Sequence, residues 1–198
     1  MHAKLLAAPR GVTGDQAVSR AQITLTYVAT LTTLKQQIAV LDAQIREQLP
    51  AHPDSEIFTS LPRSGTVRAA RLLSEIGDCR ARFPTPESLA CLAGVAPSTQ
   101  ASGKSRHVGF RWACDKQLRD AVTDFAGDTR RANPWAAQLY KHAIDRGHDH
   151  AHATRILARA WLFVIWHCWQ NHTAYDPAQH NALQRVLNEQ TKIKTAAA

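Results

Sequence analysis

The short run ASGKSR combines two serine hydroxyls with a glycine and two basic side chains. A serine oxygen can attack phosphorus when its proton is removed and the displaced negative charge is neutralised. Ser102 or Ser105 could supply that oxygen. Lys104 and Arg106 could supply the positive charge, and Gly103 would let the backbone approach a phosphate closely. Because such runs are short and common, ASGKSR alone favours a solvated basic loop over a phosphate-binding one.

A second basic stretch, SEIFTSLPRSGTVRAARLLSEI, reads as a helix, a glycine-containing turn and a second helix. This is the outline of a helix-hairpin-helix motif, which binds the phosphate backbone. Amides near Gly65 and at the start of the second helix, which Thr66 can cap, would then face a phosphate. Arg63, Arg68 and Arg71 are close enough in sequence to assist. A plain pair of helices with a solvated basic face explains the same pattern, so both interpretations stay open.

The remaining polar residues disfavour a self-contained, metal-dependent nuclease. Two-metal sites need several converging carboxylates, whereas the aspartates here are scattered over predicted helices without a recognisable spacing. In GHDHAH, His148 and His152 would share one helix face, but no glutamate stands between them and no fourth ligand is evident. That segment favours a solvated helix N-terminus, and no metal site is predicted.

The five tryptophans could stack on bases, but most have the helical spacing of core residues. These are Trp135, Trp161, Trp166 and Trp169. Trp112 stands directly beside Arg111, so it stays a candidate for contact with a base.

The net charge narrows the class of partner, and the cysteines indicate the redox environment. A net charge of +8 and a pI near 9.7 favour a polyanion, with nucleic acid ahead of a membrane surface. The apolar stretch Ile156–Trp169 is too short to cross a bilayer, which needs about 20 residues, and Arg159 interrupts it. We therefore expect a cytoplasmic protein with no membrane partner. Its isolated cysteines, none in a CxxC pair, are expected to be reduced thiols: Cys79, Cys91, Cys114 and Cys168.

Residues Asp15–Leu49 contain neither glycine nor proline and predict one long helix. Its apolar seam recurs at spacings of four and three, as in a coiled coil: Tyr27, Leu31, Leu34, Ile38, Leu41 and Ile45. The helix could dimerise, or it could pack against another helix of the same domain. The seam is short for a free-standing coiled coil, which needs three to four heptads, so both arrangements stay open.

Three later helices are marked by a capping residue followed by proline. The pairs are Thr85–Pro86, Asn133–Pro134 and Asp176–Pro177. Alternation with a period of two extends over no more than a few residues, so no strand is predicted. The sequence therefore predicts an all-α fold, in which a long coiled-coil-like N-terminal helix precedes a compact helical domain with a helix-hairpin-helix-like element.

The order of these segments resembles that of a known domain. The sequence resembles the C-terminal transposase domain of IS110-like bacterial insertion sequences in the order of five segments. These are LLSEIGD, RFPTPESLACLAGVAPSTQASGKSR, QLRDAV, NPWAAQLY and RGHDHAHATRILARAWLFVIWHCW. Transposases of that family join an N-terminal RuvC-like DEDD nuclease domain to a C-terminal domain that carries a serine. The resemblance runs from about Ser60 to Pro177, and Gln16–Leu49 resembles the family's linking coiled coil. It implies a disordered tail at 1–14, a coiled-coil-like arm at 15–50, the transposase domain at 54–177, and a C-terminal helix and tail at 178–198.

The family motif G-x-x-P-x-x-x-x-S-G falls on four residues, Gly94, Pro97, Ser102 and Gly103. The resemblance thus implies that Ser102 is the nucleophile and forms a transient phosphoserine bond with DNA. A leucine–arginine pair of the family falls on Leu118 and Arg119, whereas Asp115 stands where the family commonly has glycine. Together with the basic stretches, this gives the expected nucleic-acid contacts: Arg63, Gly65, Arg68, Arg71, Gly103, Lys104, Ser105, Arg106, Arg111 and Arg119.

Nothing in the sequence matches the DEDD domain, and the roughly 15 residues before the long helix are too few to form one. We therefore expect a truncated transposase that is inactive without a DEDD domain, to which the implied Mg²⁺ would bind; no cofactor is expected in this chain. The resemblance implies DNA and a structured non-coding RNA as partners, and the N-terminal helix implies a homo-oligomer. The alternative is a non-catalytic nucleic-acid-binding or dimerisation module that modulates a full-length transposase.

Overall fold

The computed structural model describes residues 7, 11 and 13–196. The chain divides into two units, with the boundary between Gln44 and Ile45. Most of the tail predicted to be disordered, 1–14, lies outside the described residues. None of the described helices is both long and apolar enough to cross a membrane.

The first helix, α1, spans Asp15–Gln48 and confirms the long helix predicted from the sequence. None of its 34 residues is buried. Five seam residues each expose more than half of their surface: Tyr27, Leu31, Leu34, Ile38 and Leu41. The apolar seam is thus open to solvent along most of its length.

Seven further α-helices and one β-hairpin follow α1 within the described residues. In chain order they are α2 (Ser55–Thr59), α3 (Gly65–Ile76), α4 (Pro86–Leu92), β1 (Ser98–Ser102), β2 (Ser105–Gly109), α5 (Lys116–Thr129), α6 (Pro134–Asp145), α7 (His150–Gln170) and α8 (Asn181–Ala196). Short 3₁₀ turns lie at Leu49–Ala51 and Arg80–Arg82. The all-α class is confirmed, and the hairpin is a small addition to it.

Helix α7 forms the centre of the second unit, where it packs against α4, α5 and α6. Its apolar side chains are buried on several sides, and Trp161 and Trp169 are fully buried. The indole Nε1 of Trp161 donates a 2.8 Å hydrogen bond to Oγ1 of Thr129, so its polar edge is satisfied inside the core. This burial confirms that most of the tryptophans stabilise the fold.

Of the three capping residues predicted to precede a proline, two are confirmed and one is wrong. Thr85 accepts a hydrogen bond from the amide of Ser88 at the start of α4, and Asn133 caps α6 in the same way. The prediction for Asp176 is wrong, because its carboxylate accepts from the amide of Ala178 within a turn and α8 begins only at Asn181. Aspartate side chains stabilise such turns as readily as helix starts, which is why the sequence pattern misled.

The strands β1 and β2 were not predicted, because their sequences lack the alternation that identifies a half-buried strand. They pair antiparallel from Ser98 opposite Gly109 to Ser102 opposite Ser105. Almost every residue of both strands is exposed, so polar side chains occupy both faces. An alternating apolar pattern arises only when one face is buried, and here neither face is.

Burial of His180 predicts a pH-dependent stability. Its ring lies 4.5 Å from the ring of Trp135, and its Nδ1 lies 2.9 Å from the hydroxyl of Tyr175. Burial lowers the pKa of His180 below its ordinary value. The unfolded chain therefore binds more protons below about pH 6.5, and stability should decrease as the pH falls through that range.

The measurement is the urea midpoint of unfolding at about pH 7.5 and about pH 5.5. His180→Gln should reduce the difference between the two midpoints, whereas His142→Gln, at an exposed position of α6, should leave it unchanged. An unaltered difference in His180→Gln would contradict the assignment.

Candidate nucleic-acid interface

Ser102 ends β1 at the tip of the hairpin and pairs directly with Ser105 across a two-residue turn. Gly103 has φ of +55° at the first turn position, where a type II′ turn requires a positive φ that glycine adopts without strain. Lys104 occupies the second turn position. Both serines are exposed, so a phosphate could reach either hydroxyl without displacing protein.

The register of the hairpin separates its basic side chains from the serines. Ser102 and Ser105 share a face with Gln100 and His107, because successive residues of a strand point to opposite faces. Arg106, opposite Ala101, lies on the other face. Of the two basic residues in ASGKSR, Arg106 therefore lies away from the serines, and Lys104 in the turn is the one left to act beside them.

The hairpin offers no carboxylate that could remove the proton of Ser102. Residues 98–109 contain no carboxylate. His107 shares the serine face, but its Nε2 lies 3.1 Å from where a Cβ on Gly109 would stand, so its ring points away from the tip. Magnesium prefers carboxylate and phosphate oxygens, and the hairpin offers no protein ligand of that kind beside Ser102. The hairpin thus presents a nucleophile and a cation, with no carboxylate of its own to act as base or metal ligand.

The root of the hairpin is held tightly against α4 and α5. Gly94 has φ of +64°, and a Cβ there would stand 2.6 Å from Cβ of Cys114 and 2.6 Å from a guanidinium nitrogen of Arg119. The amide of Asp115 donates to the carbonyl of Leu92 at 2.8 Å. Any larger residue at position 94 would therefore push apart the segment that enters β1 and the segment that leaves β2.

Arg111 and Arg119 also brace this root. Arg111 donates to the carbonyls of Ala96 and Pro97 at 3.4 and 3.3 Å. Arg119 donates to the carbonyl of Arg111 at 2.9 Å, yet its buried Nε has no partner among the described residues. The unusual Asp115 has a local role, since its carboxylate accepts from two amides and caps α5. Both arginines thus hold the hairpin in place, and contact with nucleic acid stays a prediction for them.

The turn between α2 and α3 has the strained backbone expected of a tight hairpin. Arg63 and Gly65 both adopt positive φ, +58° and +60°. Ser64 is buried and its hydroxyl has no partner among the described residues. Helix α3 begins at Gly65, so Thr66 lies inside the helix and is not its cap.

Two of the three arginines at this turn are engaged in ion pairs with α5. Arg63 lies 2.9 Å from the Asp128 carboxylate, and Arg68 lies 3.0 Å from both Asp128 and Asp124. The hydrogen bond from Arg63 lowers the pKa of Asp128, which favours its charged form. Arg71 has no carboxylate partner within the described residues. Phosphate would have to compete with aspartate for Arg63 and Arg68, but not for Arg71.

Sequence reasoning missed a basic pocket formed by α7 and the hairpin root. A cavity of about 390 Å³ lies there, and Arg155, Arg159 and His152 line it from α7. The signal was present in the sequence, because Arg155 and Arg159 are one helical turn apart within an otherwise apolar stretch. The sequence pattern marks Arg159 only as an interruption of the apolar stretch and predicts no function for either residue.

The group formed by His52, Asp54 and Asp78 is explained by hydrogen bonding without a metal. Nδ1 of His52 accepts from the amide of Asp54, and its Nε2 lies 3.1 Å from the Asp78 carboxylate. The buried carboxylate of Asp54 accepts from Arg80 and from Nε1 of Trp169. Every nitrogen and oxygen that a metal would need from His52 and Asp54 already has a partner.

Comparison with known proteins identifies the domain that contains this hairpin. Residues 55–141 match the Transposase IS116/IS110/IS902 family. A protein of the IS117 mini-circle of Streptomyces coelicolor is 36% identical over 132 residues, which are 67% of this chain and 32% of the relative. The 43.6 kDa protein of insertion element IS110 from the same organism is 36% identical over 149 residues, 75% of this chain and 36% of the relative.

The 42 kDa protein of insertion element IS900 from Mycobacterium paratuberculosis is 31% identical over 166 residues, 81% of this chain and 42% of the relative. The chain thus spans 32–42% of the length of these relatives. The matched residues contain the braced root, the turn between α2 and α3, and the serine at the hairpin tip. Residues 55–141 therefore match the transposase domain of the IS116/IS110/IS902 family, and the chain as a whole is a partial match to longer proteins of insertion elements.

Proposed function

We propose that this chain provides the serine-bearing domain of a DNA transposase, in which Ser102 attacks a DNA phosphodiester. A bond forms between Oγ of the serine and phosphorus, and the bond from phosphorus to one deoxyribose oxygen breaks, that oxygen leaving with a proton. A second deoxyribose hydroxyl then displaces the serine and rejoins the strand. The observation that carries the proposal is the exposed position of Ser102 at the tip of a braced hairpin, directly before a glycine–lysine turn.

The chain's own residues hold the phosphate and orient the serine. Lys104 lies in the turn directly after Ser102 and can neutralise charge that develops on the phosphate. Because the hairpin carries no carboxylate and the ring of His107 points away from its tip, we assign removal of the serine proton to a RuvC-like DEDD domain acting together with this one. The Mg²⁺ implied for that domain would supply Lewis-acid chemistry there. A structured RNA that selects the DNA is part of the same proposal.

A second function is favoured by the open seam of α1 and by the lack of a described base at Ser102. The chain would then bind nucleic acid without cutting it and would dimerise. Apolar residues at alternating spacings of three and four pair in coiled coils, so a second copy of α1 would cover the seam.

Covalent capture separates the two functions. The purified chain is incubated with labelled element-end DNA and Mg²⁺, with and without a separately supplied DEDD domain and RNA, and run on a denaturing gel. A protein–DNA adduct supports the transposase function. Salt-dependent binding without an adduct in any combination supports the non-catalytic module.

Charge reversal at Arg106 should weaken DNA binding under both functions. Arg106 is exposed and makes no ion pair among the described residues, so Arg106→Glu removes a free cation and adds repulsion. The slope of log K against log salt concentration is negative, and its magnitude should decrease by at least about 1. Arg131→Glu, at an exposed position just after α5, is the control with the same charge change. An equal effect of the two variants would exclude a specific contact by the hairpin.

A further inference from the structure

Among the large hydrophobic side chains described in the second unit, that of Trp112 is the most exposed to solvent. It is 80% exposed, whereas Trp161 and Trp169 are fully buried. Its ring meets the ring of Phe110 edge-on, with centroids 4.8 Å apart and planes at 80°. This contact supports the indole from one side and leaves the rest of its surface open. The indole therefore presents an open face on which a planar ligand could stack.

Phe110 connects this exposed ring to a cluster of positive charge. The guanidinium carbons of Arg119 and Arg155 each lie 4.7 Å from the centre of the Phe110 ring. Cation–π contacts of this kind hold the aromatic ring and the cations in a fixed arrangement. Trp112, Phe110 and Arg155 therefore form one continuous surface.

The cavity beside Phe110 combines apolar side chains with several cations. Arg111, Arg155 and Arg159 line it together with His152, and no carboxylate does. None of these three arginines makes an ion pair among the described residues, in contrast to Arg63, Arg68 and Arg80. The pKa of His152 is lowered by burial and then by the charges of His148 and Arg155, whereas the charge of Asp149 acts in the opposite direction.

We propose that the hairpin root binds one unpaired nucleotide, with its base stacked on Trp112 and its phosphate in the cavity between Arg155 and Arg159. The inference rests on the proposed nucleic-acid function and specifies its substrate. The base must be unpaired because a base within a duplex has both faces covered by its stacked neighbours. A cavity of about 390 Å³ lies within the usual size range of small-ligand sites. The exposed indole outside it supplies the stacking surface.

Fluorescence anisotropy of the full chain tests this inference. The probes are labelled single-stranded DNA, single-stranded RNA and duplex DNA of about 12 nucleotides or base pairs. Trp112→Ala should weaken single-strand binding about fivefold or more, since stacking on an aromatic ring contributes this much per base, and should change duplex binding less than about twofold. Trp112→Phe retains a ring and should restore most of the affinity.

Substitution of the cavity cations gives an independent test. The double variant Arg155→Gln/Arg159→Gln should weaken single-strand binding more than Arg131→Gln does, and thermal unfolding curves establish that each variant is folded. The DNA and RNA probes show which strand the site prefers.

The outcomes separate this inference from the function on which it rests. An unaltered chain that binds neither single strands nor duplex would overturn the nucleic-acid function itself. Retained binding with equal loss for single strand and duplex in Trp112→Ala, or with no loss at all, would overturn only the stacking site.

Discussion

Ser102→Ala should abolish the covalent protein–DNA adduct completely while changing DNA affinity less than about twofold. The substitution removes the only atom that forms the bond to phosphorus, so no slower route to the same adduct remains. Affinity depends mainly on cations and phosphates, and Ser102 carries no charge. The measurements are the denaturing gel for the adduct and anisotropy for binding, made on the same preparation.

Ser105→Ala is the matched control for that experiment. Ser105 pairs directly with Ser102, shares its face and is equally exposed, so it differs chiefly in standing on the other strand. It should keep the adduct. If Ser105→Ala loses the adduct and Ser102→Ala keeps it, the nucleophile is assigned to the wrong strand. An adduct that survives both changes would remove the hairpin from the chemistry.

Asp54→Ala should destabilise the second unit by about 3–5 kcal/mol, the range observed when one partner of a buried ion pair is removed. The Asp54 side chain is 3% exposed and accepts hydrogen bonds from Arg80 and from Nε1 of Trp169. Without it, a buried indole N–H loses its acceptor, and a largely buried guanidinium loses its carboxylate partner and keeps only the neutral carbonyl of Trp169 and the ring of His172. The measurement is the free energy of unfolding from urea titration, followed by tryptophan fluorescence.

Asp78→Ala provides the comparison, because Asp78 lies 3.1 Å from His52 but its side chain is 76% exposed. Exposed pairs contribute about 0–1 kcal/mol, so this variant should stay close to the unaltered chain. Similar losses in the two variants would show that the buried acceptor at Asp54 contributes no more than a surface pair.

The parts of the fold that could be predicted are those decided by neighbouring residues. The absence of glycine and proline from α1 and the caps at Thr85 and Asn133 act within one turn of helix, so the sequence pattern alone reveals them. Asp54 shows the limit of such reasoning. It stands before α2 like a capping residue, but its carboxylate makes no cap and accepts instead from Arg80 and Trp169, far away in sequence.

The candidate site was predictable in its residue types but not in its arrangement. Ser102 could be selected only through the resemblance to a family motif, because ASGKSR is too common to identify a nucleophile. The separation of Arg106 from the serine face depends on strand register, and no strand was predicted. The pairing of Arg63 and Arg68 with aspartates of α5, and the freedom of Arg155 and Arg159, follow from contacts between distant segments.

Because its root is fixed by Gly94 and Arg111, any tilt of the root would carry the whole hairpin with it as a rigid body. The four steps of about 3.3 Å from Ser98 to Ser102 place the serine roughly 13 Å from the start of β1. A tilt of about 10° would then move the serine by about 2 Å, and misplacement by about 1 Å is enough to slow such chemistry a hundredfold. Under the proposed function, Gly94 and Arg111 would therefore help determine, through the position of the hairpin root, whether Ser102 comes within bonding reach of phosphorus.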